Sequence, residues 1–193
     1  MLKWRMAAVA VLVLVSSLIG VQASVAPVAQ TGQTTSYRTG DDGDLQPGVE
    51  WPSPRFTDNG DTITDNLTGL MWAEDANIWG STNWNAAIDN CNGLSLGGHD
   101  DWRLPTVKEL QSLIDFGQYG HALPSGHPFL NVSGLYYWSS TTYVSGTSNA
   151  WYTRPWLGHV GAGAKTSNSF RYSWPVRGES TAQPSGGSII QFR

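Results

Sequence analysis

Four oxygen-bearing side chains, Asp58, Asn59, Asp61 and Asp65, fall within one short stretch. Carboxylate and amide oxygens at such spacing are what hard cations such as calcium take as ligands. The stretch departs from an EF-hand loop, because Gly60 comes too early and no Glu closes it. The same residues also suit a tight turn, where Asp and Asn side chains accept backbone N–H groups and tolerate positive φ. Both readings stand at this point: a plain turn, or a structural calcium near Asp58 and Asp61. No other cofactor is expected. His99, His121, His127 and His159 lie in loop-like sequence and form no Ser/His/Asp or Cys/His pattern. His121 and His127 with Asp115 match no standard zinc spacing, so no metal ligands are assigned.

A different chemistry is written between Thr142 and Asn168. Asn149, Trp151, Tyr152, Arg154, Trp156 and His159 crowd this stretch, with Tyr143 beside them. Flat aromatics next to amide and guanidinium donors suit sugars, and they suit protein surfaces equally. These six are the candidate ligand-binding residues, expected on long loops, and no catalytic residue is assigned. Trp151 and Trp156 could instead pack under their own loops. Trp79 is a further aromatic open to a ligand. Gly158 to Lys165 is glycine-rich but lacks Lys-Ser or Lys-Thr after the last glycine, so it is no phosphate loop and reads as a flexible hairpin tip.

The elements that must carry these residues follow from pattern. Arg55-Phe56-Thr57 and Thr62-Ile63-Thr64 are β-prone runs around Asn59-Gly60, a hairpin signal. Gly69 to Trp72 reads as a buried strand. A helix is predicted over about 84–92, with Ser81, Thr82 or Asn83 as cap and Trp84, Ala87, Ile88 and Cys91 on one face. Gly93 or Gly97 ends it. A second helix starts at Thr106, where Glu109 three residues on completes a capping box, with Leu110, Leu113 and Ile114 inward and Gly117 as the stop. Tyr136 to Thr142, Asn149 to Thr153 and Ser169 to Arg177 are the later strands. Two early helices followed by antiparallel strands make an α+β plan.

Composition narrows the function classes. Only 13% of residues are charged, against ten Trp and 22 Gly; roughly a quarter is usual. Disorder over the middle, a coiled coil and a nucleic-acid binder are all disfavoured. Lys3 and Arg5, an apolar stretch, and Val21-Gln22-Ala23 follow the grammar of a cleaved secretory signal over 1–23. Ser24 rather than Cys would follow, so a lipoprotein anchor is not expected. Cleavage takes the basic count from 11 to 9 against 15 acids, giving −6. Whole-molecule charge would then not steer a polyanion. Residues 24–48 read as a polar linker, 49–178 as the domain and 179–193 as a polar tail. Cys91 is the only cysteine, so an intrachain disulfide is impossible, and it reads as a small buried residue on a helix.

Four segments also carry a resemblance: FTDNGDTITDNLTGLMW at 56–72, GGHDDWRLPTVKELQSLID at 97–115, YYWSSTT at 136–142 and YSWPVRG at 172–178. Together they resemble the Lcl C-terminal domain family, named for a collagen-like surface adhesin of Legionella. The resemblance covers 51–178. It implies a C-type-lectin-like fold, with two helices packed on short antiparallel strands and long loops, and a distant kinship with formylglycine-generating enzymes. Those enzymes hold copper with paired cysteines, which a chain with Cys91 alone cannot do. The tripeptides of a calcium-dependent lectin sugar site are also missing. Trp72, Trp102, Trp138 and Trp174 are expected in the core. Arg103 and Arg177 are expected to be structural, Arg103 satisfying carbonyls or a carboxylate, with Asp100 or Asp101 as nearby candidates. The expectation is therefore a secreted or periplasmic, non-enzymatic module that binds a glycan or a surface protein. It would bind no nucleic acid and, once the signal is removed, would have no integral membrane association. Its oligomeric state stays open. An enzyme on the same fold and a structural envelope module are the alternatives.

Overall fold

The computed structural model describes residues 28–178. The expected signal sequence and tail lie outside the described residues. The expected linker is partly described and is not featureless. Its short helix α1, Asp42–Leu45, is capped by Asp41, whose side chain accepts from the Asp44 N–H at 2.9 Å. Ala29 bridges Val49 in parallel, and the Thr31 carbonyl accepts the Phe116 N–H at 2.9 Å. Polar composition was a poor guide here, because the segment is held by backbone bonds rather than apolar periodicity.

The hairpin forms as read: β1 (Phe56–Asp58) pairs antiparallel with β2 (Thr62–Asp65). Its turn is closed by the Asn59 N–H donating to the Thr62 carbonyl at 2.9 Å, and by Asp58 Oδ1 accepting from Gly60 N at 2.9 Å. Only Gly60 uses a positive φ, +89°. β3 (Met71–Ala73) adds to β2. Helix α2 runs Trp84–Asn92 with Asn83 as its cap, and α3 runs Val107–Ser112 with the full Thr106/Glu109 capping box. Helix α3 ends at Leu113 rather than at Gly117. Gly117 serves a close approach instead. A Cβ there would sit 2.5 Å from the Gly32 carbonyl, so its absence lets the N-terminal segment lie against the core.

Strands β4 (Tyr136–Thr142) and β5 (Asn149–Arg154) follow as read. Two expectations change after them. The glycine-rich stretch is no flexible tip: His159–Ala164 is strand β6, paired over all six residues with β5. Tertiary packing overrides the weak strand propensity of glycine, because a Cβ on Gly161 would lie 2.7 Å from the Tyr152 hydroxyl. The last predicted strand is two: β7 (Arg171–Tyr172) runs parallel to β4, and β8 (Val176–Arg177) runs antiparallel to β3. Between them Trp174 plunges into the core and Pro175 has no N–H to continue a ladder. Among the described residues the result is two four-stranded sheets, β1-β2-β3-β8 and β6-β5-β4-β7. The class is α+β, with one parallel pair and a hairpin where loops were expected.

The four expected core tryptophans, Trp72, Trp102, Trp138 and Trp174, are each 2% exposed or less. Trp174 meets Phe129, Tyr137 and Trp72 at ring separations of 4.8, 5.3 and 5.6 Å. Its indole N–H donates to the Ala73 carbonyl at 2.9 Å. A second cluster of Ala87, Cys91, Leu104, Trp138 and Ala150 sits under α2. Burial pushes the Cys91 thiol up to about 12, as fits a small core residue.

Arg103 does not pair with Asp100 or Asp101. It forms a fork with Glu109 at 2.7 and 2.8 Å and donates to the Gly178 carbonyl at 2.9 Å. Glu109 is already fixed beside it by the capping box. Asp101 instead takes Arg177, at 2.6 and 3.1 Å, and that pair holds the Asp101 carboxyl below its usual range.

Candidate functional site

The predicted site residues divide between two faces of one sheet, because successive side chains on a strand point to opposite sides. Asn149 and Trp151 share one face of β5; Tyr152 and Arg154 lie in register positions facing the β4 and β6 neighbours of the site. Trp151 is half-buried and edge-on to Tyr143, with ring centroids 5.2 Å apart. The Asn149 carbonyl accepts the Tyr143 N–H at 3.0 Å, and its own N–H donates to the Gly146 carbonyl at 2.8 Å. These two residues close the β4–β5 turn and do not join the rest.

Tyr152 and Arg154 meet residues of three other strands. Tyr152 pairs with Trp138 on β4 and Gly161 on β6; Arg154 pairs with His159; Tyr136 pairs with Arg171 on β7. These pairings assemble a ladder of rings and guanidiniums. Tyr136 and Tyr152 meet edge to face at 4.8 Å. The Arg171 guanidinium carbon lies 4.9 Å from the Trp138 ring, 5.4 Å from Tyr152 and 5.8 Å from Tyr136. Arg154 lies 5.5 Å from the same Tyr136 ring. His159, exposed, tilts against Tyr152 at 6.3 Å.

Polar contacts and close packing set both arginines in place. Arg154 Nε donates to the Gly134 carbonyl at 3.1 Å. Trp156 covers the same Gly134, since a Cβ there would sit 2.8 Å from the indole. Trp156 is 38% exposed and edge-on to His121 at 4.7 Å, so it caps the end of the ladder next to Arg154. Arg171 donates to the Ser167 hydroxyl, while its buried Nε has no partner. Gly163 makes room for its guanidinium, as any Cβ there would collide with Nη2.

The electrostatics of this face are unusual for an acidic chain. Among the described residues the ion pairs are Arg55–Asp65, Arg103–Glu109 and Arg177–Asp101. Among the described residues neither Arg154 nor Arg171 pairs with a carboxylate. From Phe116 to Gly178 there is no Asp or Glu, so a carboxylate partner has to come from another part of the chain, as Asp101 does for Arg177. Net charge had hidden this segregation. Tyr136, Arg171, Gly161 and Gly163 were missed as site residues. The acid-free run and the alternating glycines of β6 were the signals that could have found them.

Such a surface has definite chemical abilities. A guanidinium stacked on aromatic rings keeps its N–H edge free for oxygen acceptors, each stacking worth about 0.5–2 kcal/mol. Aromatic faces at the same level suit the C–H faces of a pyranose ring. A cleft of about 440 Å³ lined by Thr31, Asp41, Asp42 and Phe116 includes none of the ladder residues.

The other candidates go elsewhere. Asp65 is fully buried and taken by Arg55 Nε at 2.7 Å, by Thr68 Oγ1 at 2.8 Å and by the Leu67 N–H at 3.0 Å. It cannot turn towards Asp58 and Asp61, which sit on the exposed turn. Among the described residues no group of three His, Cys, Asp or Glu is placed to hold a metal ion. His127 is lowered by burial and by nearby His121, and packs against Phe129 at 5.8 Å. Trp79 packs against the cluster under α2. No described helix is long and apolar enough to cross a membrane.

A family model described as the Lcl C-terminal domain matches residues 61–177. No curated protein matches the chain in sequence.

Proposed function

The chain belongs to the Lcl C-terminal domain family, and from that premise we propose that it is an exported, adhesin-like and non-enzymatic module that binds a glycan. The α+β plan would be a C-type-lectin-like one, used without calcium-dependent sugar chemistry. The binding face is the ladder of Tyr136, Tyr152, Arg154, Arg171 and His159, ended by Trp156. One observation carries this reading: two guanidiniums stand within 6 Å of one tyrosine ring and neither has a carboxylate partner among the described residues. Cations left without an internal counter-charge, held flat beside aromatics, are prepared for an outside acceptor.

The test is a glycan array followed by titration calorimetry. Replacing Arg154 with Gln and Trp156 with Ala should lower affinity for the best glycan at least tenfold, with little change in melting temperature. Binding that survives both substitutions would remove this face from consideration. Binding of a surface protein at unchanged affinity, with no glycan bound, would favour the protein-ligand alternative.

A further inference from the structure

The two sheets have four edges, and they are not equal. Strands β1, β7 and β8 present three, two and two residues. Strand β6 presents six, His159–Ala164, all in register with β5 on one side only. Among the described residues its one backbone bond outside that ladder is the Ala164 carbonyl accepting the Ser167 N–H at 3.0 Å. Long edges are normally blunted by charge, proline or a bulge. The sequence His-Val-Gly-Ala-Gly-Ala has no Lys, Arg, Asp, Glu or Pro, and its register with β5 is unbroken.

We propose that β6 pairs antiparallel with β6 of a second copy of this chain, joining two sheets into one of eight strands. The strand is its own complement. A two-fold axis perpendicular to the sheet brings together residues of the same face. Centred on Gly161, it sets His159 opposite Gly163 and Val160 opposite Ala162. Centred on Ala162, it sets Val160 opposite Ala164 and Gly161 opposite Gly163. Neither register opposes two charges or two bulky groups. A foreign strand would have to supply this match, whereas a second copy brings it automatically. The Tyr152 ring also leans out over Gly161, its hydroxyl 2.7 Å from where a Cβ would stand. Pairing would cover that overhang. The axis keeps both aromatic–guanidinium faces on the same side, so two binding faces would stand next to each other. The pairing itself rests on the β6 edge and does not depend on the glycan reading.

The experiment is light scattering and sedimentation on the purified protein from about 1 to about 200 µM, with Ala162→Lys as the variant. Hydrogen exchange of the 159–164 amides is read on the wild type at both ends of the range. A dimer that Ala162→Lys converts to monomer, with near-ultraviolet tryptophan dichroism intact, supports the pairing. So does amide protection over 159–164 that grows with concentration, which needs no variant. A monomer throughout overturns it, as does a dimer that Ala162→Lys leaves unchanged. A monomer whose 159–164 amides are protected at every concentration also overturns it, and assigns the edge to another segment of the same chain.

Discussion

The Arg171 guanidinium lies 4.9 Å from the Trp138 ring and, among the described residues, takes no carboxylate partner. Trp138 is fully buried, so a core aromatic on one side supports a cation whose Nη1 is held by the Ser167 hydroxyl. The core and the proposed binding face thus share a boundary at this pair. A lysine could keep the charge there but not the flat stack or the fork of donors. Arg171→Lys should therefore weaken glycan binding about tenfold, a loss of about 1.4 kcal/mol, while net charge is unchanged. Calorimetric titration beside a melting curve checks this, and unchanged affinity would reduce Arg171 to a plain point charge.

Gly163 has an ordinary φ, so its requirement is space rather than conformation. Gly163→Ala should destabilise by about 1–3 kcal/mol through collision with Arg171, as overpacked sites do. In the double variant with Arg171→Ala the collision is gone, and the alanine penalty should fall to near zero. Chemical denaturation of the four proteins closes this cycle; an unchanged penalty would refute the steric account.

Two carboxylates push acid stability in opposite directions. Burial works to raise Glu109, but Arg103 and the Thr106 N–H overcome it, and the net shift is downward. Its contribution is therefore present above the ordinary glutamate value and lost as pH falls through the folded one. Asp115 is raised by burial, only partly offset by the Gly117 N–H and by Arg55. Its ionisation costs stability as pH rises through the folded value. Asp115→Asn should raise the melting temperature at pH 7 and give no gain at pH 3. Glu109→Gln should lower it at pH 7 and flatten the acid limb. Melting curves across pH 3–7 decide both signs.

The Arg55–Asp65 pair is buried, with side chains 7% and 0% exposed, and Trp51 stacks on the guanidinium at 4.6 Å. Removing one charge strands the other. Asp65→Asn should cost about 3–5 kcal/mol, while the exposed Asp61→Asn should cost under about 0.5 kcal/mol. Urea denaturation compares them, and equal effects would mean that the turn carboxylates act as a set.

Local signals were legible in the sequence wherever a few adjacent residues decide the outcome. The Asn59-Gly60 turn and the Thr106/Glu109 capping box form at the positions read, and Asn83 is the one of three candidate caps that the first helix uses. Signals that depend on partners far along the chain were not. Nothing adjacent to Gly161 or Gly163 announces that Tyr152 and Arg171 need their space, so β6 read as a tip. Nothing near Arg103 prefers Glu109 over Asp101 until the helix forms. The six candidate ligand residues were close in sequence, but strand alternation separates Asn149 and Trp151 from Tyr152 and Arg154. It also brings in Tyr136 and Arg171 from strands that were recognised without being connected to the site.

The crossing between β7 and β8 has a consequence for how the chain is made. Within seven residues, 171–177, the backbone supplies an edge strand to each sheet and the aromatic on which Phe129, Tyr137 and Trp72 converge. A nascent chain that stops short of Arg171 lacks all three. It holds two incomplete sheets with no hub between them. Among the described residues, then, the synthesis of this one short segment completes both sheets at once.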